Sequence, residues 1–241
     1  MVLLILATAA AAVSSGVWPP PQQIATSGSP VQLALDFTAT APFTTTPRNS
    51  PRLVRAIDRF NSLMAPRRRV AAAEVYGDAT SSISGLDVEV AVLTDEVLNT
   101  ATDYSYTLEV GGGRATVTAH SIYGAMYGLE TFTQLVDSRG MLTASTVRVS
   151  DAPDHPWRGL LVDSGRRFAT VALLRNIIDT MAAVKLNCLH LHASDFCRFG
   201  VESKLYPNLV PQASGPNAGF YTHEDIKGLI EYAGDRGVRL V

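Results

Sequence analysis

Arg158-Gly159-Leu160-Leu161-Val162-Asp163-Ser164-Gly165-Arg166-Arg167-Phe168 is an apolar run that breaks abruptly into charge. Leu186-Asn187-Cys188-Leu189-His190-Leu191-His192-Ala193-Ser194-Asp195 has the same form, and a helix-length segment separates the two. In that segment Val171, Leu174, Ile177, Ile178 and Met181 recur at helical spacing. A strand, a crossover helix and a second strand of this length predict a parallel pair with a right-handed connection. The polar endings then stand together at the C-terminal edge, where a (β/α) barrel gathers its reactive groups. Arg166 and Asp195 are therefore the first candidate site residues. Residues two apart on a strand share a face, so His190 and His192 are expected to point into the barrel and Leu189 and Leu191 toward covering helices. Imidazoles placed inside would need partners.

Working outward, Thr222 with Asp225 three residues on predicts a capped helix that ends near Gly237, and 237–241 reads as a third strand. The Pro-, Gly- and Asn-bearing connection 194–221 is longer than a structural turn needs and is a candidate wall of a cleft. Upstream, Leu53, Val54, Ile57, Phe60 and Met64 predict a helix over 51–64. Strands are expected at 86–94, 104–110 and 114–119, the last two joined tightly at Gly111-Gly112-Gly113. A helix over 121–136 and a strand over 142–149 follow. This block reads as α+β, with helices on one face of an antiparallel sheet, and the Pro-containing 151–156 marks its boundary with the barrel segment.

The chain has 241 residues and a formal net charge of -2, which argues against a nucleic-acid partner. Arg67-Arg68-Arg69 reads as a solvated turn between helix and strand. The apolar run 2–13, followed by Ser14, Ser15 and Gly16, has the form of a secretory signal peptide and is short for a membrane span. Cys188 and Cys197 are read as free thiols, and no Asn-X-Ser/Thr acceptor occurs. Asp95-Glu96 is the one Asp-Glu dipeptide in the chain and reads as a solvated strand-end turn.

The first barrel strand ending in Arg166, the phrase His190-x-His192-x-x-Asp195 and the stretches Phe199-Gly200-Val201-Glu202-Ser203, Tyr206-Pro207-Asn208-Leu209 and 221–226 resemble glycoside hydrolase family 20, the β-N-acetylhexosaminidases. Val17-Trp18-Pro19-Pro20-Pro21-Gln22 and 121–135 resemble the region that precedes the barrel in that family. After the signal peptide read over 1–16, the resemblance implies a small α+β domain over 17–152 and the first βα units of a TIM barrel over 153–241. About five βα units of an eight-stranded barrel would remain to be supplied.

The resemblance further implies a retaining, substrate-assisted hydrolysis of terminal N-acetylhexosamine from glycans, an exception to the usual carboxylate nucleophile. In that scheme Arg166 holds the ring hydroxyls of the terminal sugar, and Asp195 orients a histidine that contacts the catalytic glutamate. His192 is a supporting residue, and an arginine paired with Asp163 is the plainer reading of Arg166. The catalytic Asp-Glu pair is expected downstream of Val241, so the 241-residue chain is expected to be inactive alone. Where the family usually has a second aspartate, Phe196 follows Asp195, and Arg167 stands where it often has histidine. No cofactor is expected, and no metal, because no third ligand is placed beside His190 and His192. Passage through the secretory pathway, to a secreted or lysosomal/vacuolar destination, and a homodimer of the full-length protein are further expectations. The alternative reading is a non-catalytic sugar-binding or assembly fragment, whose last strand would expose an unpaired edge.

Overall fold

In a computed structural model the structure describes residues 16–41, 50–73, 82–93, 97–196, 198–210 and 219–241. The apolar run 2–13, Asp95-Glu96 and Cys197 lie outside them. The first unit runs β1 (Gln23–Ser27), β2 (Val31–Thr40), α1 (Pro51–Ala73), β3 (Ser82–Val92), β4 (Tyr106–Gly111), β5 (Arg114–Ser121), α2 (Ile122–Leu135), β6 (Met141–Leu142) and β7 (Thr146–Asp151). Its strands form a seven-stranded sheet in the order β1-β7-β4-β5-β3-β2-β6.

Alternation decides which face is covered. In β4 Tyr106, Leu108 and Val110 are buried while Thr107 and Glu109 are exposed, and in β5 Ala115, Val117 and Ala119 point inward. The apolar side meets α1 and α2 around a stacked Phe37–Phe132 pair with ring centroids 5.5 Å apart. Gly112 and Gly113, at φ 59° and 81°, make the tight β4–β5 connection that the three glycines predict. Ser121 caps α2 by accepting from the amides of Tyr123 and Gly124.

The sheet is mixed rather than antiparallel, because β2 pairs with β3 and β3 with β5 in parallel. Parallel neighbours need a crossover, and α1 supplies the one between β2 and β3. The alternation of β2 is interrupted by a register shift between Leu33 and Thr38, which hides its period, and the mostly exposed edge strand β1 carries little apolar signal. The expected strand 142–149 divides into β6, at one edge of the sheet, and β7, which lies near the other edge between β1 and β4. Helix α1 continues past Met64 and through Pro66 to Ala73, so Arg67-Arg68-Arg69 is helical and not a solvated turn. Arg67 donates to the carbonyls of Thr133 and Val136 at 2.5 and 2.9 Å, satisfying oxygens at the end of α2, and Arg68 donates to the Phe37 carbonyl at 2.5 Å.

The second unit runs β8 (Gly159–Asp163), α3 (Val171–Ala183), β9 (Cys188–His192), β10 (Ser194–Asp195), β11 (Arg198–Phe199), α4 (His223–Gly234) and β12 (Arg239–Leu240). A three-stranded parallel sheet in the order β12-β9-β8 carries α3 and α4 on one side. Leu174, Ile178 and Met181 of α3 and Leu229 and Ala233 of α4 are buried against Leu189, with Val171, Ile177 and Leu191 packed alongside. Thr170 caps α3, and α4 opens on the reciprocal Thr222–Asp225 capping box. Cys188 is a free, buried thiol.

The two units share a buried seam. Lys185, at φ 58° after α3 and 3% exposed, sends its amine to Tyr106 Oη and Thr131 Oγ1, both at 2.8 Å, and to Asp151 Oδ2 at 3.1 Å. Burial pushes the lysine pKa down while Asp151 pulls it back up. Arg158 reinforces the contact by donating to Tyr127 Oη at 2.6 Å and to the Lys185 carbonyl at 2.9 Å. At the other end Arg55 grips Asp235 at 2.7 Å through two nitrogens, and Arg52 joins it at 3.3 Å.

Candidate active site

Register brings the site together. In the β8–β9 pair Asp163 stands opposite His192, so both lie at the C-terminal end of the sheet. The chain then turns sharply, as the amides of Ser164 and Gly165 both donate to the His192 carbonyl at 2.9 and 2.7 Å. Gly165 passes so close to the neighbouring strand end that an added Cβ would meet the Ser194 carbonyl carbon at 2.8 Å. The turn delivers Arg166, whose amide donates to Asp163 Oδ1 at 3.0 Å.

The Arg166 side chain meets both aspartates. Its Nε donates to Asp195 Oδ2 at 2.6 Å and lies 3.6 Å from Asp163 Oδ2. The Arg166 side chain is 75% exposed, so the carboxylates hold it without covering it. The hydrogen bond from Arg166, together with the Phe196 amide at 2.7 Å, holds the Asp195 carboxyl below the usual carboxylate range.

Asp163 is a full member of the cluster: Arg166 pairs with it, as the plainer reading expects, and more closely with Asp195. His192 lies with Asp163 and Asp195, one ligating atom of each within 4.8 Å of the others. This corrects the expectation that no further ligand stands near the histidines. The donor set does not suit a divalent cation, because Arg166 already sets a fixed positive charge against both carboxylates. His190 is exposed on the same sheet face, its ring centroid 6.4 Å from that of His192.

Beneath the turn Ser164 and Tyr221 share a 2.5 Å hydrogen bond, and Tyr221 donates to the Ala169 carbonyl at 2.6 Å. Tyr221 is wholly buried, so burial pushes its phenol up. The connection after β9 folds back over the strand ends: Gly200 donates to Ala193, and Val201 bridges Tyr221. Residues 211–218 of the expected cleft wall lie outside the described residues. Phe196, Leu205 and Tyr206 are exposed in this region. Gly165, Ser164 and Tyr221 were not singled out from sequence, since their roles depend on which segments meet.

A parallel α/β sheet with a charged cluster at its C-terminal edge, packed on a separate α+β unit, defines the class as one with its site at the strand ends. Comparison with known proteins narrows it. Residues 155–241 match the model described as "Glycosyl hydrolase family 20, catalytic domain", and 17–135 match "beta-acetyl hexosaminidase like". Beta-hexosaminidase subunit A1 of Dictyostelium discoideum is 39% identical over 150 residues, covering 61% of this chain and 28% of that protein. The subunit beta of Homo sapiens is 38% identical over 149 residues, covering 61% of this chain and 27% of its own. A Flavobacterium johnsoniae chitobiase structure aligns with TM-score 0.75 and 26% identity over 93% of this chain and 34% of that one. This chain belongs to glycosyl hydrolase family 20. It spans about a quarter to a third of the length of the curated relatives it matches.

Proposed function

We propose that this chain is part of a β-N-acetylhexosaminidase that releases terminal N-acetylhexosamine from glycans with retention of configuration. The observation that carries the reading is the Arg166–Asp195 clasp at 2.6 Å on the C-terminal edge of β8 and β9. In this reading β8, β9 and β12 are the opening strands of an eight-stranded barrel. Arg166 grips the hydroxyls of the terminal sugar, Asp163 and Asp195 hold its guanidinium, and His192 supports Asp195. The reaction is substrate-assisted: the 2-acetamido oxygen attacks the anomeric carbon, an aspartate steadies the acetamido nitrogen, and a neighbouring glutamate acts as acid and then base. No Asp-Glu dipeptide occurs between Asp151 and Val241. Passage through the secretory pathway belongs to the same reading and rests on the apolar run 2–13.

The test compares the 241-residue chain with a natural product extended to an Asp-Glu pair, using a chromogenic N-acetylglucosaminide. The extended protein is expected to release the chromophore, and the short chain is not. Arg166→Lys in the extended protein should lower kcat/KM tenfold or more, since a charge-assisted hydrogen bond contributes about 1.5–3 kcal/mol. Turnover by the short chain, or an extended protein indifferent to Arg166→Lys, would refute the reading. A second reading, a non-catalytic sugar-binding or assembly unit, is favoured by the outer edge of β8, which pairs with no strand among the described residues.

A further inference from the structure

Away from the site, a cavity of about 400 Å³ opens along the seam, where α1 and α2 of the first unit meet α3 and the end of α4. Phe60, Leu63, Met126 and Leu129 give it an apolar floor, and Ala182 and Ala183 of α3 form its opposite wall. Arg59 and Arg236 line it together. Volume and lining of this kind suit a small ligand held mainly by apolar contact and oriented by a few polar groups.

The charge at the arginine end is unbalanced. Four guanidiniums gather there, from Arg52, Arg55, Arg59 and Arg236, against the three carboxylates of Glu231, Asp235 and Asp179. Arg55 and Arg52 take the Asp235 carboxylate and Arg236 takes Asp179, whereas Arg59 donates to the Asp235 backbone carbonyl. Burial and the repulsion of Arg236 and Arg55 disfavour the Arg59 cation more than Asp235 and Asp179 favour it, so an incoming anion would relieve it. On the far side Glu130 also lines the cavity and accepts from Gln134; burial pushes its carboxyl up, while Lys185 and Arg67 pull it back down.

We propose that this seam cavity binds a small organic anion with an apolar tail, of the size of a medium-chain carboxylate, its head group on Arg59 and Arg236 and its tail over Phe60, Leu63 and Met126. Such a ligand touches both units at once, so binding would tighten their association as well as fill the space. Nothing in it depends on the sugar site, which lies at the strand ends.

Calorimetric titration of the 241-residue chain with octanoate, and separately with octylammonium, tests it. Octanoate should bind at least tenfold more tightly than octylammonium. Arg59→Gln should weaken octanoate at least fivefold, and Ala182→Phe, which fills the cavity and leaves the charges in place, should abolish binding. Circular dichroism melting shows whether each variant folds. Should Arg59→Gln not fold, Ala182→Phe and the ratio of the two ligands decide. No octanoate binding, equal binding of the two amphiphiles, or wild-type binding by Ala182→Phe overturns the proposal.

Discussion

The two units bury their apolar faces differently. In the first, α1 and α2 cover the sheet so completely that Leu86, Leu108, Val117, Ile122 and Phe132 are sealed from solvent. In the second, α3 and α4 cover one side of three strands, while Leu160, Leu161 and Leu173 stay 41%, 54% and 49% exposed. Beside the β8 edge, Leu160, Leu173, Ile177 and Leu186 line a groove of about 330 Å³. A sheet whose outer strand has one edge unpaired among the described residues keeps an unfinished apolar boundary there. The second unit leans on the first through Lys185, Arg158 and Asp235.

The seam is the place to break that dependence. Lys185→Met leaves Asp151 without its buried partner and should cost about 3–5 kcal/mol, read from the denaturant midpoint. A shift of a few tenths would show that the units do not rely on this contact. Within the second unit, Leu174→Ala should cost about 2–5 kcal/mol, because the side chain is fully buried, whereas Leu161→Ala should stay within about 0.5 kcal/mol. Equal costs for the two leucines would mean that Leu161 is covered in solution. Thr222→Ala removes the α4 cap and should cost about 1 kcal/mol by the same assay.

The smallest expected effect concerns Asp195. Its folded pKa is depressed by Arg166, so the pair adds stability above the unfolded carboxyl value of about 3.9 and loses it as pH falls through the folded value. Arg166→Gln should therefore raise the Asp195 pKa, measured by carbon-13 NMR of the carboxyl. An unchanged titration would mean that the clasp does not hold in solution.

Local pattern was enough for the second unit. The run into Arg166, the alternation of Leu189 and Leu191 with His190 and His192, the apolar stripe of α3 and the Thr222–Asp225 box each state their structure within a few residues. The first unit was less legible. A register shift obscured β2, and three consecutive arginines suggested a solvated turn because sequence does not show that Thr133, Val136 and Phe37 carbonyls lie within their reach.

Sequence by itself determined the βαβ order, the α+β character of the preceding block and the position of Arg166 and Asp195 just past the ends of the two strands, since periodicity and capping are local. Tertiary structure alone decided that the first sheet is mixed, that both Asp163 and Asp195 hold Arg166 at once, and that Lys185 is buried against Asp151. Those outcomes depend on register and on contacts between residues tens of positions apart, and a local pattern carries no information about which distant partner will satisfy a buried charge.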